Sequence, residues 1–355
     1  TRILVVTDGI LLRKLQADPF LEDVAAICFD EFHERSLDGD LALALCLDLQ
    51  EGLRNDLRLL AMSATLDGAA VAGLMEAQTL ESTGRSFPVE IIHRNRKPEE
   101  RIELAVTAAV LEEITTSDSG DILVFLPGQG EIERTASRHE ERLPEHVDLH
   151  RLYGAISHRA QDAALERGAQ GRRKVVLSSA IAETSLTIAD IRVVVDAGRA
   201  RRARFDPGSG MSRLVTERVS RAEATQRAGR AGRVAAGDCY TLWTKGEDGA
   251  LPAFPPAEIE AADLAPLALE LAQWGTDDLA FLTPPPAGTL AEARRLLVAL
   301  GALDGAHRIT QHGRAIAALP LQPRLAHMLL TAGKAAAPLA ALLAGRDPLR
   351  GAPVD

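Results

Sequence analysis

Apolar residues fall along this chain in two alternating rhythms. Short aliphatic or β-branched runs stop abruptly at small or polar residues. Ile3–Val6 ends at Thr7-Asp8-Gly9, Ala25–Phe29 at Asp30-Glu31, and Leu57–Met62 at Ser63-Ala64-Thr65. Ile122–Leu126 ends at Pro127-Gly128, Val175–Leu177 at Ser178-Ser179, and Val193–Val195 at Asp196. Each run predicts a buried strand, and stretches such as Asp40–Gln50 and Ile102–Ile114 between them carry helical patterns. The alternation predicts α/β units with parallel sheets. In such sheets ligands bind beyond the carboxyl ends of the strands. The polar residues that end the runs are therefore where chemistry is expected.

The rhythm is interrupted twice. Phe87-Pro88 and Arg96-Lys97-Pro98 mark a linker between two α/β units, and Pro252, Pro255 and Pro256 mark a second break. Beyond it the strand signals fade. Apolar helices are predicted over Leu264–Trp274, Leu290–Leu300 and Arg314–Leu319, with Pro284-Pro285-Pro286 separating the first two and Arg308-Ile309-Thr310 as a short wing-like strand. No internal repeat is evident.

Composition narrows the class. The 355 residues are 46% apolar, 25% charged and 3% aromatic, with a net charge of −10. That length is enough for two or three domains and a core that needs no staples. Cys28, Cys46 and Cys239 offer neither a disulfide framework nor metal-ligand spacing, which points to a reducing cytoplasm. No apolar run approaches the roughly 18 residues of a spanning helix, so no membrane partner is expected. The opening residues lack an initiator Met and read as a strand cut mid-domain. Arg outnumbers Lys by 35 to 5, an excess that G/C-rich coding bias produces on its own. Its distribution is uneven, however. Residues 191–233 hold 11 Arg, no Lys and four acids, a basic stretch suited to a polyanion inside an acidic chain.

Two runs carry the sharpest chemistry. A buried strand ending in Asp30-Glu31 offers one carboxylate for Mg²⁺ and a neighbour to polarise an attacking water. A metalloprotease reading fails, because His33 has no second His four residues away. In the second run, Ser220 and Glu223 form a capping-box signature, so a helix is predicted to start there. Gln226, Arg230 and Arg233 then share one helical stripe. Gly229 and Gly232, which cost a helix roughly 1 kcal/mol each, fit a close approach by another backbone or a phosphate. Two Arg on one stripe suit the charge developing on a transferred phosphoryl group.

With these runs in hand, Asp30-Glu31-Phe32-His33 resembles the DEAH box of superfamily 2 RNA helicases, with Phe for the usual Ala as in the bacterial HrpB-type branch. Gln226–Arg233 resembles motif VI of that superfamily. Thr7-Asp8-Gly9 resembles motif Ib, Ser63-Ala64-Thr65 motif III, Leu123–Gly128 motif IV and Ala182–Ile188 motif V, all in family order. The chain departs at Ala180, where the family usually has Asn, and at Ala189, where an acid is usual and Asp190 follows one place later.

The resemblance implies a fold of two RecA-like parallel-sheet domains, the first truncated at its N-terminus, then a winged helix and the start of a helical ratchet-like domain. The corresponding spans are 1–86, 87–250, 251–319 and 320–355. It further implies ATP and Mg²⁺ as cofactors and RNA, or DNA, as partner. Asp30 and Glu31 would hold the metal and activate water, His33 would bridge toward Gln226, and Arg230 and Arg233 would be arginine fingers. Ser63, Thr65, Thr187 and Asp190 would serve the nucleotide. Thr7, Gly9, Arg13, Thr184 and Ser185 would contact the bound strand. A strand-separating hairpin over Ala197–Val219 would bring Arg201, Arg202 and Arg204 near a duplex. One element of the family is missing from the sequence: there is no Gly-x-x-x-x-Gly-Lys-Ser/Thr, and the sole Gly-Lys pair, Gly333-Lys334, precedes Ala335. The chain is therefore expected to be a fragment whose phosphate loop precedes Thr1. Taken at face value, the same absence suggests a nucleic-acid-binding module without hydrolysis.

Overall fold

The computed structural model describes residues 2–64, 68–82, 84, 86–96, 99–117, 120–140, 142–168, 171–183 and 186–345. The chain divides into two compact units that do not follow chain order. The first comprises Thr1–Thr79, Phe205–Ser212 and Pro256–Asp355, the second Leu80–Arg204 and Arg213–Pro255.

The first unit opens with α1 (Asp8–Ala17), β1 (Ala26–Phe29), α2 (Leu37–Gly52), β2 (Arg58–Ala61) and α3 (Gly68–Leu74). β1 and β2 pair in parallel, Ala26 opposite Arg58 and Phe29 opposite Ala61. Ser36 starts α2 by accepting a hydrogen bond from Gly39 N, satisfying one donor the helix cannot. Leu41, Leu45 and Leu49 of α2 then enter the core with Leu15 and Leu57. Each such side chain gains about 1.5–3 kcal/mol from leaving water.

The second unit contains β3 (Val89–His93), α4 (Ile102–Thr116), β4 (Asp121–Phe125), α5 (Gln129–His139), β5 (Val147–Leu152), α6 (His158–Leu165), β6 (Arg173–Ser178), β7 (Ile191–Asp196), β8 (Arg199–Asp206), β9 (Met211–Arg218), α7 (Arg221–Gly229), β10 (Gly237–Thr241) and α8 (Lys245–Asp248). The tip of the β8–β9 hairpin is counted with the first unit. Six of the strands form a sheet in the order β3-β10-β7-β4-β6-β5, every neighbour parallel. β4 is buried at all five positions, as a central strand covered on both faces requires. The register aligns Phe125 with Ser178 on one side and Asp196 on the other, and Asp196 with Thr241. The carboxyl ends of four strands thus form one edge.

The chain returns to the first unit with α9 (Ala265–Trp274), α10 (Ala287–Ala299), α11 (Gln311–Ala317), α12 (Pro323–Ala332) and α13 (Ala337–Ala344). Leu267 and Leu271 of α9 join the same core as Leu41 and Leu45. Gln16 Nε2 donates to Glu270 Oε2 at 2.8 Å, and Trp274 Nε1 to Asp48 Oδ2 at 2.7 Å, tying the late helices to the early segment.

Several expectations need correction. Ile3–Val6 is not a strand: no strand pairs with it among the described residues, and Ile3 and Val5 are 82% and 90% exposed. Thr7 is instead the N-cap residue of α1, which starts at Asp8. Around Arg308-Ile309-Thr310 there is a single bridge, Leu303 to Ile309, rather than a strand. The expectation that no segment is long and apolar enough to span a membrane fails for Pro323–Ala344, which meets that test by length and composition. Gly333, at φ +67°, interrupts it with a 3-10 turn between α12 and α13.

Candidate functional site

One group of candidate residues lies at the carboxyl ends of β1 and β2, in the first unit. Met62 N donates to Phe29 O at 2.8 Å and Phe32 N to Met62 O at 2.9 Å, so the residues after the two strands are laced together. Glu31 (φ 49°) and Arg35 (φ 51°) bracket the 3-10 turn Phe32–Glu34 in left-handed backbone. Such a conformation costs a non-glycine residue roughly 1–2 kcal/mol. Two anchors hold it. Buried Phe32 packs edge-on against Phe29 at 6.1 Å, which gives the Phe at this place a packing role. Arg35 grips buried Asp40 with Nε at 3.0 Å and Nη2 at 2.9 Å.

Within that turn Asp30 is exposed and Glu31 half-buried, with Glu31 N donating to Asp30 Oδ1 at 2.9 Å. His33 is buried, its Nδ1 3.4 Å from Glu31 Oε2 and 3.5 Å from Ala64 N. The DEAH-like run and Ser63-Ala64 are therefore one structural unit; Thr65 lies outside the described residues. Among the described residues no group of three or more His, Cys, Asp or Glu is arranged to hold a metal by itself. Two accessible carboxylates still suit Mg²⁺, which keeps several waters and takes one or two carboxylates plus substrate phosphates.

Thr7, Gly9 and Arg13 sit at the start of α1. Thr7 is its N-cap residue but makes no capping bond with its side chain, and Thr7 and Arg13 are exposed. Carboxylates stand beside them: Asp8 accepts from Ser36 Oγ at 2.8 Å, and a Cβ on Gly9 would lie 3.1 Å from Asp38 Oδ2. Burial, then Glu258 and Asp8, push the Asp38 carboxyl above its usual range. This corner is acidic.

A separate group lies on the long sheet's carboxyl edge, in the second unit. The capping box at Ser220 and Glu223 forms as expected and starts α7. The helix stops at Gly229, however, and continues as a 3-10 turn over Arg230–Gly232, so Gln226, Arg230 and Arg233 do not share one α-helical stripe. Gly232 meets the expected backbone: a Cβ there would lie 2.5 Å from Phe87 O. Gly229 does not, having nothing within 4 Å.

Arg230, 4% exposed, is turned inward. Its Nε donates to Glu183 O at 3.0 Å and its Nη1 to Leu186 O at 2.6 Å, bracing the chain on both sides of residues 184–185. Thr184 and Ser185 lie outside the described residues. Arg233 is exposed, with Nη1 donating to Thr187 Oγ1 at 3.0 Å. The two arginines thus differ in posture: Arg230 is buried on backbone carbonyls and Arg233 is exposed. Asp190 stands apart, at the amino end of β7 in left-handed backbone (φ 58°) and paired with Arg167 at 3.0 Å.

Sequence reasoning missed the centre of this second group. Arg227 is fully buried, its Nε donating to Glu183 Oε2 and its Nη1 to Asp196 Oδ1, both at 2.9 Å, with the guanidinium 5.0 Å from the Phe125 ring centroid. The signal was present: Val193–Val195 ends in Asp196 as Ala25–Phe29 ends in Asp30.

The hairpin arginines form no open basic face. Arg201 Nη2 donates to Glu131 Oε1 at 3.1 Å and Arg204 grips Glu217 with Nε at 2.8 Å and Nη2 at 3.0 Å. Arg202 pairs with Glu223 and lies 3.5 Å from Glu217. Arg201, Arg202 and Arg204 are thus engaged by neighbouring acids.

Comparison with known proteins finds helicase relatives. Residues 105–235 match the helicase conserved C-terminal domain. The chain is 48% identical to the ATP-dependent RNA helicase HrpB of Escherichia coli K12 over 94% of its length and 41% of that protein's. It is 36% identical to the human probable ATP-dependent RNA helicase DHX35, again over 94% of the chain and 50% of the relative. The crystal structure of E. coli DEAH/RHA helicase HrpB superposes with a TM-score of 0.90 at 47% identity, covering 98% of this chain and 45% of that one. The chain thus spans half or less of the length of these relatives. It carries a helicase conserved C-terminal domain over residues 105–235 and is similar over nearly its whole length to part of these DEAH-type RNA helicases.

Proposed function

We propose that this chain is the core segment of an ATP-dependent RNA helicase, which couples nucleotide hydrolysis between two RecA-like domains to movement along RNA. The observation that carries the reading is the contrast within motif VI: Arg230 is held on the carbonyls of Glu183 and Leu186, while Arg233, braced by Thr187, offers an exposed guanidinium. A fixed cation aimed at a transferring phosphoryl group is worth about 10³–10⁵ in rate. In this reading Asp30 and Glu31 would hold Mg²⁺ and polarise the water, His33 and Gln226 would act together in coupling the lobes, and Ser63 and Thr65 would relay nucleotide state. Thr187 positions Arg233, while Asp190 has no nucleotide contact in this reading. Thr184, Ser185 and the exposed Thr7 and Arg13 contact the strand backbone with Gly9. The hairpin arginines reach it only by exchanging acid partners. When bound, Mg²⁺-ATP supplies the phosphoanhydride whose hydrolysis drives the cycle. Spans 1–86 and 87–250 form the RecA-like pair, 251–319 the winged helix and 320–355 the start of a ratchet-like domain. Three free thiols suit the cytoplasm.

The test is steady-state ATPase of the complete protein with and without RNA. Arg233→Ala is expected to abolish RNA-stimulated turnover with RNA affinity nearly unchanged; wild-type turnover in that variant would overturn the assignment. A second reading, a binding module without hydrolysis, draws on the missing Gly-Lys-Ser/Thr loop within these 355 residues. RNA binding by the complete protein without any Mg²⁺-dependent turnover would favour it.

A further inference from the structure

The turn that carries Asp30 and Glu31 is held from the far part of the chain. Arg35 closes it in left-handed backbone (φ 51°), with Arg35 N donating to Phe32 O at 3.2 Å and Glu34 N to Glu31 O at 2.9 Å. Rotating Arg35 out of that conformation would open the turn and re-aim Glu31. Two later residues of the same first unit, Glu258 and Thr283, bear directly on Arg35.

Glu258 acts on the backbone. Its N–H donates to Arg35 O at 3.1 Å, and its Oε2 accepts from Leu37 N at 2.8 Å. Leu37 N is one of the donors that α2 cannot satisfy from within, and a carboxylate suits that end of a helix. The neighbouring Ile259 is fully buried in the core of this unit, which fixes the backbone that carries the carboxylate. Thr283 acts on the side chain. Arg35 Nη2 donates to Thr283 Oγ1 at 2.8 Å and to Asp40 Oδ2 at 2.9 Å, so both hydrogens of that nitrogen are used. Pro284, Pro285 and Pro286 follow, each with a locked φ, and a residue before Pro is itself confined to extended backbone. The hydroxyl therefore sits on a stiff strap.

We propose that Glu258 and Thr283 are positioning residues for nucleotide hydrolysis: acting through Arg35, they hold the Asp30-Glu31 turn in the posture in which it takes Mg²⁺ and water. This role rests on the helicase reading of Asp30 and Glu31. It gives the segment after the long sheet a part in the reaction that no motif in the sequence announces. A displacement of about 1 Å at a reacting group can cost roughly 100-fold in rate, so losing one of several anchors is expected to cost on the order of tenfold.

The test uses the complete protein and two readouts, amide hydrogen exchange without nucleotide and RNA-stimulated ATPase over a Mg²⁺ series. Thr283→Val replaces the hydroxyl by a methyl. Exchange should quicken within residues 30–37, turnover should fall by on the order of tenfold, and the half-saturating Mg²⁺ concentration should rise, with Thr283→Ser restoring all three. A loss of folded protein alone would lower turnover without moving the Mg²⁺ requirement. Glu258→Ala should act in the same direction, and it decides the matter should Thr283→Val lose protection throughout the chain. Trp274→Phe, which removes a different tie between the late helices and α2, should match the wild type in all three readings. Unchanged exchange in both variants, faster exchange with wild-type turnover and Mg²⁺ requirement, or the same losses in Trp274→Phe each overturn the positioning role alone. A wild-type protein without Mg²⁺-dependent turnover overturns the helicase reading, and this role with it.

Discussion

Arg227 donates from Nη1 to Asp196 Oδ1 across 2.9 Å, and each of these side chains is only 1% exposed. A charge so deeply buried persists only while it is paired. The same guanidinium also holds Glu183, so one cation joins the residue just before Thr184, the end of β7 and helix α7.

Arg227→Met is expected to destabilise the second unit by about 3–5 kcal/mol, because it leaves two buried carboxylates without their cation. Adding Asp196→Asn and Glu183→Gln to that variant should recover a large part of the loss. Urea unfolding of the three proteins decides the matter. If the single variant unfolds at the wild-type midpoint, the buried network has no energetic role.

One guanidinium cannot compensate two buried carboxylates, and burial pushes Glu183 up from 4.5 to about 7, with Asp196 raised as well. The folded chain therefore keeps a proton that the unfolded chain releases near pH 4.5. Between those values the native state binds more protons, so Glu183's contribution to stability is full below about pH 4.5 and is lost as pH rises through about 7. Compared with Glu183→Gln, the wild type should lose stability across that window and run parallel outside it. Parallel curves throughout would rule out a raised carboxyl.

Two glycines in one motif should respond oppositely. Gly232→Ala forces a methyl to within 2.5 Å of Phe87 O and 2.8 Å of Val89 Cγ2, beside the Phe87 N to Gly232 O bond of 2.9 Å. A loss of about 1–3 kcal/mol is expected from such overpacking. Gly229→Ala meets open space at the end of α7 and should stabilise by up to about 1 kcal/mol. Thermal melts of the pair test both signs.

Glu217 faces two hairpin arginines, with Arg204 Nε at 2.8 Å and Arg202 Nη1 at 3.5 Å. Under the proposed RNA role, Glu217→Gln adds one net positive charge to the hairpin. RNA affinity at low salt should rise, and the slope of log affinity against log salt should steepen by up to about 0.7 for a single strand. Fluorescence anisotropy over a salt series measures both quantities, and an unchanged slope would remove the hairpin from the interface.

What the sequence disclosed follows from burial. Central strands β4, β6 and β7 are legible because both faces are covered, so their aliphatic runs are unbroken. Edge strand β5 carries Asp148, His150 and Arg151, and β10 buries Cys239 and Tyr240 in place of aliphatics, so neither reads as a strand. The motif residues were legible by type but not by posture. Arg230 and Arg233 are three residues apart in identical Arg-Ala-Gly contexts, and only the 3-10 turn after Gly229 sends one inward and leaves the other outside. Ile3–Val6 failed for the opposite reason: an aliphatic run becomes a strand only where another strand accepts its hydrogen bonds.

The interleaving of the two units sets a timetable for the nascent chain. Leu41 and Leu45 leave the ribosome early, yet their core partners Leu267 and Leu271 follow only after the whole second unit has been made. At about 5–20 residues per second, the early apolar face waits on the order of ten seconds or more. During that interval Asp48 of α2 lacks the Trp274 donor it later accepts from, and this core lacks the apolar side chains that α9 adds to it. A ribosome pause placed between Thr79 and Pro256 would prolong that exposure, whereas a pause after α9 would not.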